Sequence, residues 1–482
     1  MAPGLRSEGA SPKPPETEMP WLYFMSVLFG CGESEPLVTC AQLADTEPLE
    51  DGGNILVIVA DDIGVDKLSI YDQHPNPART PNIDALSCAG VTFNNAYSNP
   101  VCSPTRAAIM TGRHGARTGI GRWIHSITDS YDLPLSEETI AERLNAMTEY
   151  TSVALGKWHL VSHKAAGEDG VLNPNLQGFS YYAGALGNPR EALQKGHLPR
   201  TYEDWEKATN GELSWSETYM TTDTVNDAVA QIQQLPEPWF TYVAFNGAHE
   251  PVHAPPKELI TTSVSGLSGD VKKFDAMVEA VDTELGRLLD SIPADVLART
   301  TIIFITDNGT PGFGISKPWD PGNSKGTLLE GGVNVPMIVT GPHVTDPGRT
   351  SDVLVHFVDL YATIADIADA PLGEQALDSI SFLPTLQDPE ATAGRDFVYS
   401  EKFYPNGAPP YDYHHRMVTD GDWKLIRYSE EGEVTEKLLR PDGWDDGSNL
   451  VGTIDSSPTA AAAYDRLSAA LDDKIAEMTF EH

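Results

Sequence analysis

Asn54 is followed by six consecutive apolar residues, Ile55-Leu-Val-Ile-Val-Ala60, and the run stops abruptly at Asp61-Asp62. A strand with one wet face alternates polar and apolar residues. A strand that is apolar at every position needs cover on both faces, which is the condition inside a parallel sheet flanked by helices. Related runs recur at Thr151–Leu155, Thr241–Phe245, Thr301–Thr306 and Val335–Val339. Between them, Thr221–Leu235 and Val271–Ile292 repeat apolar residues at helical spacing. Strands alternating with helices predict an α/β fold, with a large, mostly parallel sheet sandwiched by helices.

The polar residues that end these runs carry the chemical information. Asp61-Asp62, Lys157 and His159, Asn246 to His249, and Asp307-Asn308 each follow a predicted strand. In open α/β sheets ligands bind beyond the carboxyl ends of the strands, so four separate strand ends deliver these groups to one rim. Asp61, Asp62, Asp307 and Asn308 are hard oxygen donors, suited to Ca²⁺ or Mg²⁺ rather than zinc. Either pair alone would be an ordinary strand-end turn; the two together point to a metal.

A fifth segment is Cys102-Ser-Pro-Thr-Arg106-Ala-Ala-Ile-Met-Thr-Gly112. Pro104 suits the first turn of a helix, which puts Cys102 at a helix N-terminus, where free N–H groups favour an anion. Arg106 lies one turn on, and its planar fork matches a tetrahedral oxyanion.

This segment resembles the Cys-x-Pro-Ser/Thr-Arg signature of type I, formylglycine-dependent sulfatases, in the alkaline-phosphatase-like superfamily. The likeness continues in family order through Gly156-Lys157-Trp-His159, the His249-x-Pro stretch, and Lys325 with Glu330-Gly-Gly. It runs from about Asn54 to Tyr428, and Lys437 to Gly443 echoes the family's closing motif loosely. The resemblance implies that Cys102 is oxidised to formylglycine by a dedicated maturation enzyme, and that one hydroxyl of its hydrate attacks sulfur. It implies calcium, before magnesium, on Asp61, Asp62, Asp307, Asn308 and residue 102. Arg106, Lys157 and Lys325 then neutralise the sulfuryl group. His249 and Lys325 assist the leaving alcohol, and His159 drives sulfate elimination. The implied substrate is an aryl or carbohydrate sulfate, a small molecule or a glycan. Two other readings share these residues: a phosphonate monoester or phosphodiester hydrolase of the same superfamily, and a non-catalytic anion-binding protein in which Cys102 stays a thiol.

Composition excludes one partner class. With 70 acidic against 32 basic residues the net charge is −38, which argues against nucleic acid, because phosphate binding wants clustered Lys and Arg, though a local cationic pocket can still hold a small anion. Residues 1–50 read as a leader and acidic tether. Met19 to Gly30 is too short to span a bilayer and has the length of a signal-peptide apolar region, and Leu28-Phe-Gly-Cys31 resembles a lipobox, with Cys31 as lipid anchor. Export, to the periplasm or as a lipoprotein, is the expectation; a cytoplasmic chain with an incidental apolar patch is the other. Cys40 and Cys88 are free to pair in an oxidising compartment. Residues 51–375 are assigned to the catalytic unit. Residues 376–482 form a smaller subdomain of short antiparallel strands, with a hairpin at Asp420-Gly421 and a terminal helix over Ala460–Met478.

Overall fold

The computed structural model describes residues 35–47, 49, 52–193, 201–261, 263–392, 394–478 and 480; the apolar leader, Cys31 and His197 lie outside them. A ten-stranded sheet forms the centre. Its strands are β1 (Asn54–Ala60), β2 (Gly90–Phe93), β4 (Thr151–Gly156), β5 (Tyr181–Gly184), β6 (Trp205–Thr209), β7 (Glu212–Ser216), β8 (Trp239–Ala244), β9 (Thr300–Thr306), β10 (Met337–Thr340) and β11 (Arg349–Ser351). The order is β11-β2-β10-β9-β1-β8-β4-β5-β6-β7. A separate two-stranded ladder joins β3 (Ala96–Tyr97) to β12 (Val355–His356).

The strand β1 explains its own composition. Ile55, Val57 and Val59 enter one core with Ile109, Met110, Leu360 and Ile364. Leu56, Ile58 and Ala60 enter the opposite core with Val225, Ala228, Phe274 and Leu285. All seven residues of β1 are buried, and each large aliphatic side chain removed from water contributes about 1.5–3 kcal/mol. The helices Met220–Ile232 and Asp270–Asp290 cover one face, and Cys102–Thr111 and Asp359–Ile367 the other.

The central strands β9, β1, β8, β4 and β5 are parallel neighbours, so their carboxyl ends share one rim. The flanks depart from that pattern. The strand expected over Val335–Val339 is β10, which runs antiparallel to both β9 and β2. The hairpin of β6 and β7 extends the other edge antiparallel to β5.

A four-stranded antiparallel sheet follows: β13 (Val398–Tyr404), β14 (Tyr413–Thr419), β15 (Lys424–Glu430) and β16 (Glu433–Leu439). Its alternation is two-sided. Tyr399, Val418, Leu425 and Leu438 pack on Leu467 and Leu471 of the Pro458–Glu477 helix. Val398, Met417, Ile426 and Leu439 pack on Tyr97, Leu328 and Val333. The β14–β15 turn falls at Asp420-Gly421, where Gly421 has φ 90°. A disulfide links Cys40 to Cys88, 48 residues apart. No helix among the described residues is long and apolar enough to cross a membrane.

Candidate active site

The sheet ladder continues past the strand ends and fixes the first polar residues. Asp61 N donates to Gly247 O at 2.9 Å, Asp307 N to Ala60 O at 3.1 Å, and Lys157 N to Ala244 O at 2.7 Å. Gly156 makes the last approach feasible. Its φ is 89°, and a Cβ there would lie 2.0 Å from Ala244 O. Two site residues hold the left-handed region without being glycine: Asp62 at φ 65° and His159 at φ 63°.

Cys102 is the first residue of the Cys102–Thr111 helix, after the extended Val101. Pro104 occupies the first turn, whose N–H groups lack intrahelical partners, and Gly112 ends the helix in the left-handed conformation. The buried Cys102 Sγ lies 3.5 Å from Asp61 Oδ1 and 3.6 Å from Lys325 Nζ.

The sequence placed Arg106 toward an anion above the helix terminus. In the structure its guanidinium grips Asp307 Oδ2 from both Nε, at 3.0 Å, and Nη2, at 2.8 Å, while Nη1 donates to Lys157 O at 2.8 Å. Nη2 is also 3.8 Å from Asp61 Oδ2. Arg106 is fully buried, so this fork is desolvated and held in one orientation. Lys157 Nζ pairs with Asp61, and Lys325 Nζ with Asp62. His249 Nε2 stands 3.9 Å from Asp62 Oδ2, and its Nδ1 lies 2.8 Å from Glu250 O. His159 is buried, and neither ring nitrogen has a hydrogen-bond partner. By contrast, His253 is satisfied by Tyr219 Oη at 3.0 Å and Pro251 O at 2.7 Å.

Burial and charge act together here. Burial and the neighbouring Asp307 push Asp61 up to about 8, against the opposing pull of Lys157. Burial also raises Asp62, but Lys325 and His249 outweigh it and hold that carboxyl below the usual range. Burial, with Asp307 and Asp61 nearby, raises the Cys102 thiol. Burial and Lys325 take His249 down to about 3, and burial with Lys157 and Arg106 lowers His159.

Ligand atoms of Asp61, Asp62, Asp307 and Cys102 all lie within 4.8 Å of one another. Asn308 Nδ2 donates to Asp62 Oδ1 at 2.8 Å, while its buried Oδ1 has no partner. Three crowded carboxylates and an orphaned amide oxygen are a donor set that a hard divalent cation fits.

The Lys325 block is braced from behind. Glu330 pairs with the fully buried Lys424 of β15, and its N–H donates to Asp446 Oδ2 at 2.8 Å. Gly331 is required there, since a Cβ would meet Trp444 at 2.3 Å and Asn323 O at 2.4 Å. The sequence marks Glu330 as part of the Glu330-Gly-Gly block but does not tie it to its partners Lys424 and Asp446. The buried pattern of β15 was the available signal for Lys424; Asp446 carried none.

The model of the family described as Sulfatase matches residues 53–370, and one described as N-sulphoglucosamine sulphohydrolase, C-terminal, matches 323–476. The chain is 31% identical to arylsulfatase A of Homo sapiens over 404 residues, covering 78% of this chain and 74% of that protein. It is 31% identical to N-acetylgalactosamine-6-sulfatase of Homo sapiens over 361 residues, covering 69% of this chain and 65% of that one. The solved structure of Ps i-CgsB in complex with k-i-k-neocarrahexaose superposes with a TM-score of 0.71 at 25% identity, over 86% of this chain and 92% of that one.

Proposed function

Since the chain belongs to the sulfatase family, hydrolases of sulfuric esters, we propose that it cleaves carbohydrate or aryl sulfate monoesters with a formylglycine made from Cys102. One observation carries this reading. The Cys102 side chain, three carboxylates, the free amide oxygen of Asn308 and three cationic side chains converge on a single buried rim. The sugar-sulfatase name of one relative and the oligosaccharide bound to Ps i-CgsB support a glycan sulfate as substrate.

Asp61, Asp62, Asp307, Asn308 and residue 102 would hold the divalent cation, calcium before magnesium, which supplies positive charge against the ester oxygens. Formylglycine at position 102 would supply, as its hydrate, a hydroxyl for displacing the alcohol from sulfur. Arg106 holds Asp307 in one orientation, toward the cation and the attacking hydroxyl. Lys157 and Lys325 set ammonium groups beside residue 102, where they offset charge developing on the sulfuryl oxygens. His249 donates from Nδ1 to Glu250 O and presents Nε2 to the site for contact with the leaving alcohol, while the Lys325 ammonium supplies that oxygen's proton, since burial keeps the imidazole neutral with Nε2 unprotonated. His159, with both ring nitrogens free, accepts the proton whose removal releases sulfate. The Cys40–Cys88 disulfide supports export to an oxidising compartment, where Cys31 would be the lipid anchor.

Mass spectrometry of the tryptic peptide Thr80–Arg106 tests the nucleophile. Cys88 lies in that peptide and in the disulfide, so the protein is reduced before alkylation. An aldehyde at position 102 beside an alkylated Cys88 supports the reading. Two alkylated cysteines in protein from its native host would overturn it. Turnover of 4-nitrophenyl sulfate against an aryl phosphonate then separates a sulfatase from a phosphonate hydrolase.

A further inference from the structure

In a chain with 70 acidic residues against 32 basic ones, a cation without a carboxylate partner is unusual enough to ask what it faces. Two such cations lie on segments hydrogen-bonded to those of the site. Arg122 stacks between two aromatic rings, its guanidinium carbon 4.6 Å from the Trp123 centroid and 4.8 Å from that of Tyr404. Among the described residues no carboxylate pairs with it. Lys402 donates to Gly326 O at 2.7 Å and lies 5.9 Å from the Tyr413 ring. Glu430, the acid whose charge reaches Lys402, is turned to His415 Nε2 at 2.7 Å.

Both cations are tied to the catalytic rim by short links. Ile124, two residues after Arg122, donates its N–H to Ser103 Oγ at 2.9 Å, and Ser103 adjoins Cys102. The N–H groups of Gly121 and Arg122 both reach Asn406 Oδ1 at 3.0 Å, which locks this loop to the end of β13. The carbonyl that Lys402 holds belongs to the residue after Lys325, itself 3.6 Å from Cys102 Sγ. Tyr404 and Tyr413 pair across β13 and β14 with stacked rings 6.2 Å apart, so the aromatic surface runs unbroken from Arg122 to Lys402. Trp123 and Tyr404 are each 38% exposed, open to a ligand.

We infer that Arg122 and Lys402 form an anion-binding subsite beside the Cys102 site, which takes a second negatively charged group on the sugar adjoining the one that carries the scissile ester. This rests on the sulfatase reading. Stacking fixes the plane of the Arg122 guanidinium and leaves its N–H edge for a sulfate or carboxylate. Trp123, with one face on Arg122, keeps an exposed face for the apolar side of a sugar ring. The preferred substrate is thus an oligosaccharide with at least two anionic groups, whereas an aryl sulfate fills only the catalytic half.

The test compares kcat/KM for three substrates in the wild type, Arg122→Gln and Arg122→Lys. The substrates are 4-nitrophenyl sulfate, a sulfated disaccharide with a second sulfate on the neighbouring sugar, and one with a uronate carboxylate there. In Arg122→Gln the ratio of two-anion to aryl kcat/KM falls about ten- to hundredfold, through KM, as expected for a lost charge-assisted contact. Arg122→Lys restores part of it. The disaccharide with the larger drop identifies sulfate or carboxylate as the natural group. An equal loss on all substrates, or no loss on any, overturns the subsite. If the wild type hydrolyses none of them, the sulfatase reading fails by itself. Calorimetric binding of the two disaccharides then decides the subsite: tenfold weaker binding to Arg122→Gln supports it, and equal affinity overturns it.

Discussion

Asp62 and His159 are both non-glycine residues in the left-handed region, and both sit where a strand hands its chain to the site. Asp and His are among the non-glycine residues that enter that region most often, and each still does so at a cost on the order of 1–3 kcal/mol that the surrounding structure must offset. The sequence showed which residue types meet, because each follows a buried strand. It did not show these backbone angles, nor that Arg106 would be spent on Asp307. That pair makes a specific prediction. Arg106→Lys keeps the charge but cannot make two N–H contacts to Asp307 and a third to Lys157 O, so activity should fall at least about a hundredfold. Arg106→Ala strands a buried carboxylate and should lower unfolding free energy by about 3–5 kcal/mol. Denaturant unfolding and steady-state kinetics on both variants would check this, and a fully active Arg106→Lys would refute the positioning role. The same cluster predicts a metal effect visible without turnover. Chelation should lower the thermal midpoint and Ca²⁺ should restore it, since an ion at a hundredfold excess over its Kd stabilises by about 2.7 kcal/mol. A midpoint indifferent to chelator would argue against a resident cation.

At the scale of elements, legibility followed burial. The strands β1, β4, β8 and β9 are covered on both faces and announced themselves as apolar runs. Hydrophobicity carries no direction, so the reversal of β10 was invisible. The strand β16 is largely exposed, with Glu433, Thr435 and Glu436 along it, and offers no apolar run to read. The hairpin of β6 and β7 has the same defect at its outer strand. Where the large and small sheets meet, two buried histidines make stability depend on pH. His114 packs on His356 with ring centroids 4.8 Å apart, and both are fully buried. Burial takes His114 down to about 4, despite Asp378 and Glu401 and with Lys474 and Arg395 nearby, and it lowers His356 as well. The unfolded chain therefore binds protons that the folded one refuses. Stability present at neutral pH is lost as pH falls from about 6.5 toward about 4, with a slope up to about 1.4 kcal/mol per pH unit for each histidine. Denaturant midpoints between pH 7 and pH 4.5 should show the fall, and His114→Phe should flatten it. An unchanged slope in that variant would place the acid sensitivity elsewhere.

For the whole molecule, a chain of net charge −38 is proposed to turn over anions, so two fields of opposite sign act at different ranges. Far from the protein a sulfate ester meets net repulsion. Within a few ångströms of residue 102 it meets Lys157 and Lys325, held by buried partners in water-poor surroundings. Salt screens the first field far more than the second, because the Debye length is about 10 Å at 0.1 M while buried charges are poorly screened. Raising ionic strength should therefore increase kcat/KM for a singly charged aryl sulfate by speeding encounter, and leave kcat nearly constant. A basic-surfaced enzyme would show the reverse sign. Measuring kcat and kcat/KM from about 0.02 to about 0.5 M NaCl, where the Debye length shrinks from well above to well below the width of a substrate cleft, separates the two. A kcat/KM that falls with salt would mean that the cationic rim, and not the acidic surface, already governs approach. The acidic shell would then serve solubility alone.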